Sequence, residues 1–210
     1  MCRIALACAL LLSIAGCRTT DNHSERQLRH AGLVEVAEVV PDAVLDIRYA
    51  TTDNFTGQAV YPSSRCFLNR DAAHALALVQ KDLKSQGFRL KVFDGYRPLS
   101  VQRRFWAILP NPDFVADPAV GSRHNRGFAV DVSLVTLDGL EVPMPTAFDD
   151  FSERAHPDYP DIPEEAARNR AILRRAMERR GFTIFPTEWW HFGKRPVKGI
   201  FPNSVGCGRM

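Results

Sequence analysis

Two short stretches of the sequence carry residue types that could bind a metal ion. "SRHNRGFAVD" (122–131) contains His124 and Asp131, and "EWWH" (188–191) contains Glu188 and His191. Two imidazoles and one carboxylate suit a zinc site that keeps a coordination position open for chemistry. Glu188 could then be the general base that takes a proton from zinc-bound water, because zinc lowers the pKa of that water to about 7.

Each stretch also permits an interpretation without catalysis. Asp131 could be a capping or salt-bridged residue beside a surface His124, and "EWWH" could be tryptophan-rich core with a hydrogen-bonded His191. A regular strand would place Glu188 and His191 on opposite faces, since they are three residues apart. A shared site therefore predicts a turn or a bulge at this point.

A cation occurs in a third stretch, "DGYRP" (94–98), in which Arg97 follows a predicted strand at a turn. Such a guanidinium could stabilise the oxyanion that forms when water attacks a carbonyl. A lone arginine at a turn is more often part of a surface ion pair, so this motif alone leaves both interpretations open.

The elements that must position these residues are predicted from hydrophobic periodicity and from stop signals. Alternating, β-branched or aromatic residues predict strands at 44–50, 88–94, 128–137, 182–185 and 189–192. Helical spacing, with breakers after it, predicts helices at 69–86, 100–109 and 163–180. Because the strands lack regular alternation with helices, we expect an α+β fold with helices packed around a central antiparallel sheet.

Five motifs in this order resemble the D-alanyl-D-alanine dipeptidase family: "YATTDNFTG", "DGYRP", "SRHNRGFAVD", "VPMPTAFDDF" and "EWWHF". The family comprises zinc enzymes of the Hedgehog/D,D-peptidase fold, related to the dipeptidase of vancomycin resistance, and the resemblance covers roughly residues 34–201. It implies one bound zinc ion, a catalytic base and a residue that stabilises the transition state. These roles would fall to His124, Asp131 and His191 as zinc ligands, Glu188 as base, and Arg97 as stabiliser.

The resemblance also implies a set of substrate contacts. Ser122 would meet the carboxylate of the substrate, Asp149 and Tyr49 would surround its free amine, and Tyr61 would line the same pocket. The expected reaction is hydrolysis of D-Ala-D-Ala. An anionic Asp149 beside the substrate ammonium would favour a free dipeptide over a longer peptide, since extension removes the positive charge.

Two other functions remain open from the sequence. The first is a D,D- or L,D-carboxypeptidase of the same fold that acts on peptidoglycan stem peptides. The second belongs to another class: a non-catalytic envelope lipoprotein that binds cell-wall peptide and holds zinc in a closed four-ligand site. Nucleic acid is not an expected partner, because the net charge is only +3 and basic residues do not cluster with aromatic ones.

The start of the chain predicts export and lipidation. An uncharged apolar run follows Arg3 and ends in Ile-Ala-Gly-Cys, which resembles a bacterial lipobox ending at Cys17. We expect residues 1–16 to be a lipoprotein signal peptide, 17–31 a polar tether without secondary structure, and 32–210 the zinc peptidase domain. An ordinary signal peptide is the alternative.

Export also sets the expected location and cysteine chemistry. The protein would be lipid-anchored on the periplasmic side of the envelope, and Arg18 favours the outer membrane because a retention signal would carry Asp there. Cys66 and Cys207 would then remain in an oxidising compartment, which suggests a disulfide between them. Two buried free thiols are the alternative.

Overall fold

A five-stranded sheet and the helices packed against it carry the candidate residues in the computed structural model, which describes residues 25–195. The strands are β1 (Leu33–Glu35), β2 (Val44–Leu45), β3 (Phe67–Asn69), β4 (Phe88–Asp94), β5 (Ala129–Thr136), β6 (Phe182–Phe185) and β7 (Glu188–Lys194). The helices are α1 (25–30), α2 (Val36–Val39), α3 (Arg70–Lys84), α4 (Leu99–Ile108) and α5 (Glu164–Arg179). Single-turn 3₁₀ helices lie at Arg48–Ala50, His124–Arg126 and Glu153–Ala155.

The strand order of the main sheet is β2-β4-β5-β7-β6, and β1 pairs with β3 in a separate antiparallel pair. All neighbours in the main sheet are antiparallel except β2 and β4, which are parallel. This arrangement confirms the predicted α+β class. The parallel edge strand β2 was not expected.

Alternation along β5 separates the hydrophobic core from the candidate site. Val130, Val132 and Leu134 are buried in the main core cluster, which also contains buried residues of α3 and α5. Successive side chains of a strand point to opposite faces, so Asp131 points away from this core. Helices α3 and α5 thus support one face of the sheet, and the other face carries the candidate site.

Local sequence signals explain where helix α3, which was predicted at 69–86, begins and ends. The side chain of Asn69 accepts a hydrogen bond of 3.0 Å from the backbone N–H of Asp71, as an N-cap residue does. Gly87, with φ of +88°, follows the helix in the left-handed conformation that commonly ends helices. The helix predicted at 100–109 is α4, which begins at Leu99 directly after Pro98 without a side-chain cap.

The predicted strand at 44–50 is only partly correct. Val44–Leu45 form β2, but Arg48–Ala50 turn into a 3₁₀ helix. Ile47 and Tyr49 are each 3% exposed, so burial at every second position persists without strand pairing. The turn directs Tyr49 into a second, largely aromatic cluster with Val101 and Phe105.

The predicted tether also differs from the structure where it can be compared. Residues 25–30 are helical, although no secondary structure was expected there. Glu25 forms ion pairs with Arg29 and with Arg65, and Arg29 also pairs with Glu38. Charge pairing, which hydrophobic periodicity does not report, holds this polar segment against the domain.

Three predictions fall on residues outside 25–195: the signal peptide, lipidation of Cys17 and the disulfide partner Cys207. Cys66 is buried, and burial raises the pKa of its thiol well above the usual range. Within residues 25–195, no helix is both long and apolar enough to cross a membrane.

Candidate active site

The three predicted zinc ligands come together at the end of the sheet. Nε2 of His124 lies 3.1 Å from Nδ1 of His191 and 3.4 Å from Oδ1 of Asp131. Nδ1 of His191 lies 3.0 Å from the same Asp131 oxygen. Asp131 on β5 and His191 on β7 are paired in the sheet register, and the 3₁₀ turn before β5 adds His124. The three donors are therefore close enough to share one ion.

The donor set fits a cation for a second reason. Asp131 Oδ1 is buried and has no aligned hydrogen bond from any residue within 25–195. Buried polar atoms are normally satisfied by a partner, and a metal ion among these donors would provide one. Two histidines and one aspartate match the ligand types of zinc, and only three protein ligands leave a position open.

Local contacts favour the tautomer of His124 and the neutral form of His191 that can bind a metal ion. Nδ1 of His124 donates to the carbonyl oxygen of Gly95 at 2.7 Å, which leaves Nε2 as the ligand atom. Burial lowers the pKa of His191 and favours its neutral imidazole. Burial opposes ionisation of Asp131, but His124 and His191 outweigh it and hold the pKa of this carboxyl below its usual range.

Glu188 lies beside the ligand group, as the sequence predicts. Its Oε2 is 3.7 Å from Nδ1 of His191, and the residue is 6% exposed. The register between β6 and β7 shifts where Phe185 pairs with Glu188, so the expected irregularity is present. Burial, and then the negative charge of Asp131, raise the pKa of the Glu188 carboxyl well above its usual range. A carboxylate with a raised pKa is a better proton acceptor.

Arg97 is buried, so the surface ion pair that the sequence left open is wrong. Its Nε and Nη2 donate to Oδ2 of Asp94 at 3.0 and 2.7 Å, and its Nη1 donates to Gln102 at 3.1 Å. The guanidinium carbon lies 4.7 Å from the ring centre of Phe105. Nη2 is also 3.8 Å from Oδ2 of Asp131, which places the cation at the edge of the ligand group.

Asp94 is a positioning residue that the sequence interpretation missed. Besides Arg97, it accepts hydrogen bonds from the hydroxyl of Tyr61 at 2.7 Å and from the backbone N–H of Gly95 at 2.8 Å. The carbonyl of Gly95 in turn orients His124, so Asp94 supports two functional residues. Tyr61 acts through Asp94 and is not among the residues that line the cavity. The available signal was an acid three residues before Arg97.

Asp149 and Tyr49, which the resemblance assigns to the substrate amine, contact each other and both line the cavity. Oδ1 of Asp149 accepts the Tyr49 hydroxyl at 2.9 Å, and Oδ2 accepts the backbone N–H of Phe55 at 3.1 Å. Burial raises the pKa of Asp149 to about 7, against the opposing effect of these hydrogen bonds. Asp149 has a φ of +62°, a left-handed conformation that aspartate and asparagine tolerate better than most residues.

A cavity of about 380 Å³ joins these groups. Ser122 lines it, and the segment after α4 supplies a wall that includes Phe114 and Val115. Trp190 also lines the cavity, whereas the buried Trp189 does not and donates through Nε1 to Thr146 at 2.9 Å. The arrangement offers a metal position, a base, a buried cation and an acid around one cavity.

The chain is similar in sequence to known proteins over most of its length. Residues 29–202 match the family model described as D-ala-D-ala dipeptidase. The D-alanyl-D-alanine dipeptidase of Escherichia coli K12 is 40% identical over 170 residues, which is 81% of this chain and 88% of that protein. The D-alanyl-D-alanine dipeptidase of Enterococcus faecium is 34% identical over 194 residues, with 82% and 95% covered.

A solved structure of the LD-carboxypeptidase LdcB covers 78% of this chain and 67% of its own at 19% identity, with a TM-score of 0.46. That similarity is too low to add to the assignment. The family match spans nearly all of the described residues, and the positions of the proposed zinc group lie within it. This chain therefore belongs to the D-Ala-D-Ala dipeptidase family.

Proposed function

We propose that the protein is a zinc-dependent dipeptidase that hydrolyses D-Ala-D-Ala and binds one zinc ion per chain. The observation that carries the proposal is the convergence of His124, Asp131 and His191 with the buried Glu188 beside them. A purely structural zinc site would be closed by a fourth protein ligand. The group of His124, Asp131 and His191 has only three members, which favours a catalytic site over a non-catalytic binding protein.

The residues divide the reaction between them. A bound zinc ion supplies Lewis acidity, which polarises the peptide carbonyl and lowers the pKa of water. Glu188 accepts a proton as water adds to the carbonyl carbon, and it returns that proton to the leaving nitrogen when the C–N bond breaks. Arg97 places guanidinium N–H groups beside the ligand group, where they stabilise the negative charge that develops on the carbonyl oxygen.

Asp149 would favour a free dipeptide over a stem peptide as the substrate. Its carboxylate and the Tyr49 hydroxyl form an acceptor-rich end of the cavity that can hold an ammonium group. An acylated nitrogen would leave the buried carboxylate without a cation, which costs binding free energy. The carboxypeptidase alternative is therefore disfavoured by a group on this chain.

Hydrolysis assays on the purified protein test the proposal directly. We expect release of D-alanine from D-Ala-D-Ala, at most slow release from a pentapeptide ending in D-Ala-D-Ala, and loss of activity with a chelator that zinc restores. Metal analysis should give about one zinc per chain. Faster release from the pentapeptide would favour the carboxypeptidase, and full activity in chelator would remove the role of the metal.

Replacing Asp149 by Asn is expected to improve stability and impair substrate binding. The pKa of Asp149 is raised from 3.8 to about 7, so the folded state binds more protons between these values and loses stability as pH rises through them. Because the site is partly exposed, we expect the metal-free variant to gain only about 1–2 kcal/mol at pH 8. Asn also keeps the left-handed backbone conformation.

The same substitution should raise KM for D-Ala-D-Ala by about tenfold or more, because it removes the charge that faces the ammonium. In the wild type, KM should rise as pH falls below about 7, whereas the variant should lose this dependence. Thermal unfolding and steady-state kinetics across pH 5–9 measure both effects. A KM that is unchanged in Asp149→Asn would remove Asp149 from the amine site.

We further propose that the protein is lipid-anchored through Cys17 on the periplasmic side of the envelope, at the outer membrane. The support is the apolar run that ends in Ile-Ala-Gly-Cys, followed by Arg18. From this location the enzyme would trim or salvage peptidoglycan fragments. Cys17→Ala should move the protein from the membrane fraction to the soluble fraction, and unchanged membrane association would refute lipid anchoring.

A further inference from the structure

A second arginine lines the cavity, and its setting differs from that of Arg97. Arg123 comes directly before the ligand His124 and its side chain is exposed. Asp94 and Gln102 accept hydrogen bonds from three of the five N–H donors of the Arg97 guanidinium. By contrast, the guanidinium of Arg123 has no hydrogen bond or ion pair with any residue in the described range. The cavity thus has one guanidinium whose donors are free.

The side chain of Arg123 packs against β7 at a glycine, Gly193. A Cβ built on Gly193 would lie 2.9 Å from Cδ of Arg123, closer than side chains tolerate, and 3.3 Å from its Cζ, which is a tight contact. Gly193 is in the interior of β7, where glycine weakens a strand and often marks a close approach by another group. Here the approaching group is the Arg123 side chain, which lies flat across the strand.

The position on β7 relates Arg123 to the reaction centre. Gly193 follows the ligand His191 by two residues, and residues two apart in a strand share a face. In the sheet register, Ala129 pairs with Gly193 and Asp131 with His191, so the two pairs are neighbours on that face. Arg123 therefore lies one step along the strands from the metal ligands, on the cavity side.

A dipeptide places its carboxylate at this distance from the bond that breaks. Consecutive Cα atoms are about 3.8 Å apart, so the terminal carboxylate lies within one residue of the scissile carbonyl. Asp149 and Tyr49 take the amine end of the cavity in the proposed function. The carboxylate of the bound dipeptide would then point away from Asp149, and a guanidinium matches its planar, bidentate geometry.

We propose that Arg123 is a specificity-determining residue that binds the terminal carboxylate of the substrate, together with Ser122. The inference rests on the proposed dipeptidase function and adds a cation to it. Because the acid Asp149 and the cation Arg123 both line it, the cavity complements a zwitterion. Substrates without a free carboxylate would leave Arg123 solvated, so they would gain nothing from it.

The test compares D-Ala-D-Ala with its C-terminal amide on zinc-loaded protein. Arg123→Ala should lower kcat/KM for the free dipeptide by about tenfold, mainly through KM, and change it less than about twofold for the amide. Arg123→Lys should recover part of the loss, because it keeps the charge without the fork. Arg126→Ala is the matched control, since Arg126 is exposed in the same 3₁₀ turn and does not line the cavity.

Equal losses on both substrates, or no loss on the free dipeptide, would overturn the assignment. Calorimetric binding of the two peptides to Glu188→Gln, with and without Arg123→Ala, provides a readout that does not depend on turnover. If the wild type hydrolyses neither peptide, the dipeptidase proposal fails. The binding comparison still decides whether Arg123 recognises a carboxylate.

Discussion

Replacing Glu188 by Gln is expected to lower kcat for D-Ala-D-Ala by about a thousandfold while the protein keeps its zinc. Gln has nearly the shape of Glu, but its amide cannot accept the proton that leaves the attacking water. General base catalysis contributes about 10²–10⁴-fold to rates, so the loss should fall in this range. Zinc is retained because the three ligands are other residues.

The buried charge of Glu188 also predicts how Glu188→Gln changes the stability of the protein. Glu188 is 6% exposed, and both burial and the charge of Asp131 raise the pKa of its carboxyl. A neutral amide relieves this unfavourable burial of charge, so the variant should unfold at the same temperature as the wild type or higher. A loss of activity accompanied by gain or retention of stability excludes misfolding as its cause.

The measurements are D-alanine release, zinc content and thermal unfolding of the same preparation. Glu165→Gln is a matched control, because Glu165 is an exposed residue of α5. Near-normal turnover in Glu188→Gln would exclude Glu188 as the base. Loss of zinc from the variant would instead make Glu188 a metal ligand and leave the base unidentified.

The zinc group could be predicted from the sequence because its chemistry is local to short motifs. Asp131 lies among β-branched and apolar residues on a strand, where an acid is costly unless it has a partner. The spacing of Glu188 and His191 predicted an irregular strand, and the register shift in β7 confirms this. In both cases a residue conflicted with its local pattern, and the conflict marked the site.

The residues that orient the site could not be predicted in the same way. Tyr61 and Asp94 are 33 positions apart, and nothing in either local pattern specifies their 2.7 Å hydrogen bond. The sequence therefore placed Tyr61 in the pocket and overlooked Asp94. Such contacts depend on how the loop before β3 packs over the end of β4, which is a property of the tertiary fold.

The prediction of a strand at 44–50 is only partly correct for a related reason. Burial at alternate positions is typical of strands, and Ile47 and Tyr49 follow that rule. Ile47 is buried in the main core cluster and Tyr49 in the aromatic cluster. A 3₁₀ turn can therefore bury both side chains without forming a strand. Alternation reports which side chains are buried, whereas strand pairing also needs a free edge beside the segment.

Arg97→Ala is expected to lower kcat by about 10²–10³-fold and to change KM much less. This is the typical cost of removing a group that stabilises the oxyanion in the transition state. A group that acts only in the transition state affects kcat rather than ground-state binding. A variant in which KM alone rises would instead assign Arg97 to substrate binding.

The substitution also has a structural consequence that must be separated from catalysis. Asp94 is 0% exposed and receives two hydrogen bonds from Arg97, so Arg97→Ala leaves a buried carboxylate without its cation. Breaking a buried pair in this way costs about 3–5 kcal/mol of stability. Since Asp94 also holds Gly95, which orients His124, zinc affinity should fall as well.

A second substitution in the same background separates the two effects. Asp94→Asn, combined with Arg97→Ala, replaces the orphaned carboxylate with a neutral amide of similar shape that still accepts the Tyr61 and Gly95 hydrogen bonds. The double variant should recover much of the unfolding temperature and zinc affinity but none of the lost kcat, because no guanidinium faces the carbonyl oxygen. If kcat recovers with stability, Arg97 only supports the fold, and the stabilisation of the oxyanion must come from the metal alone.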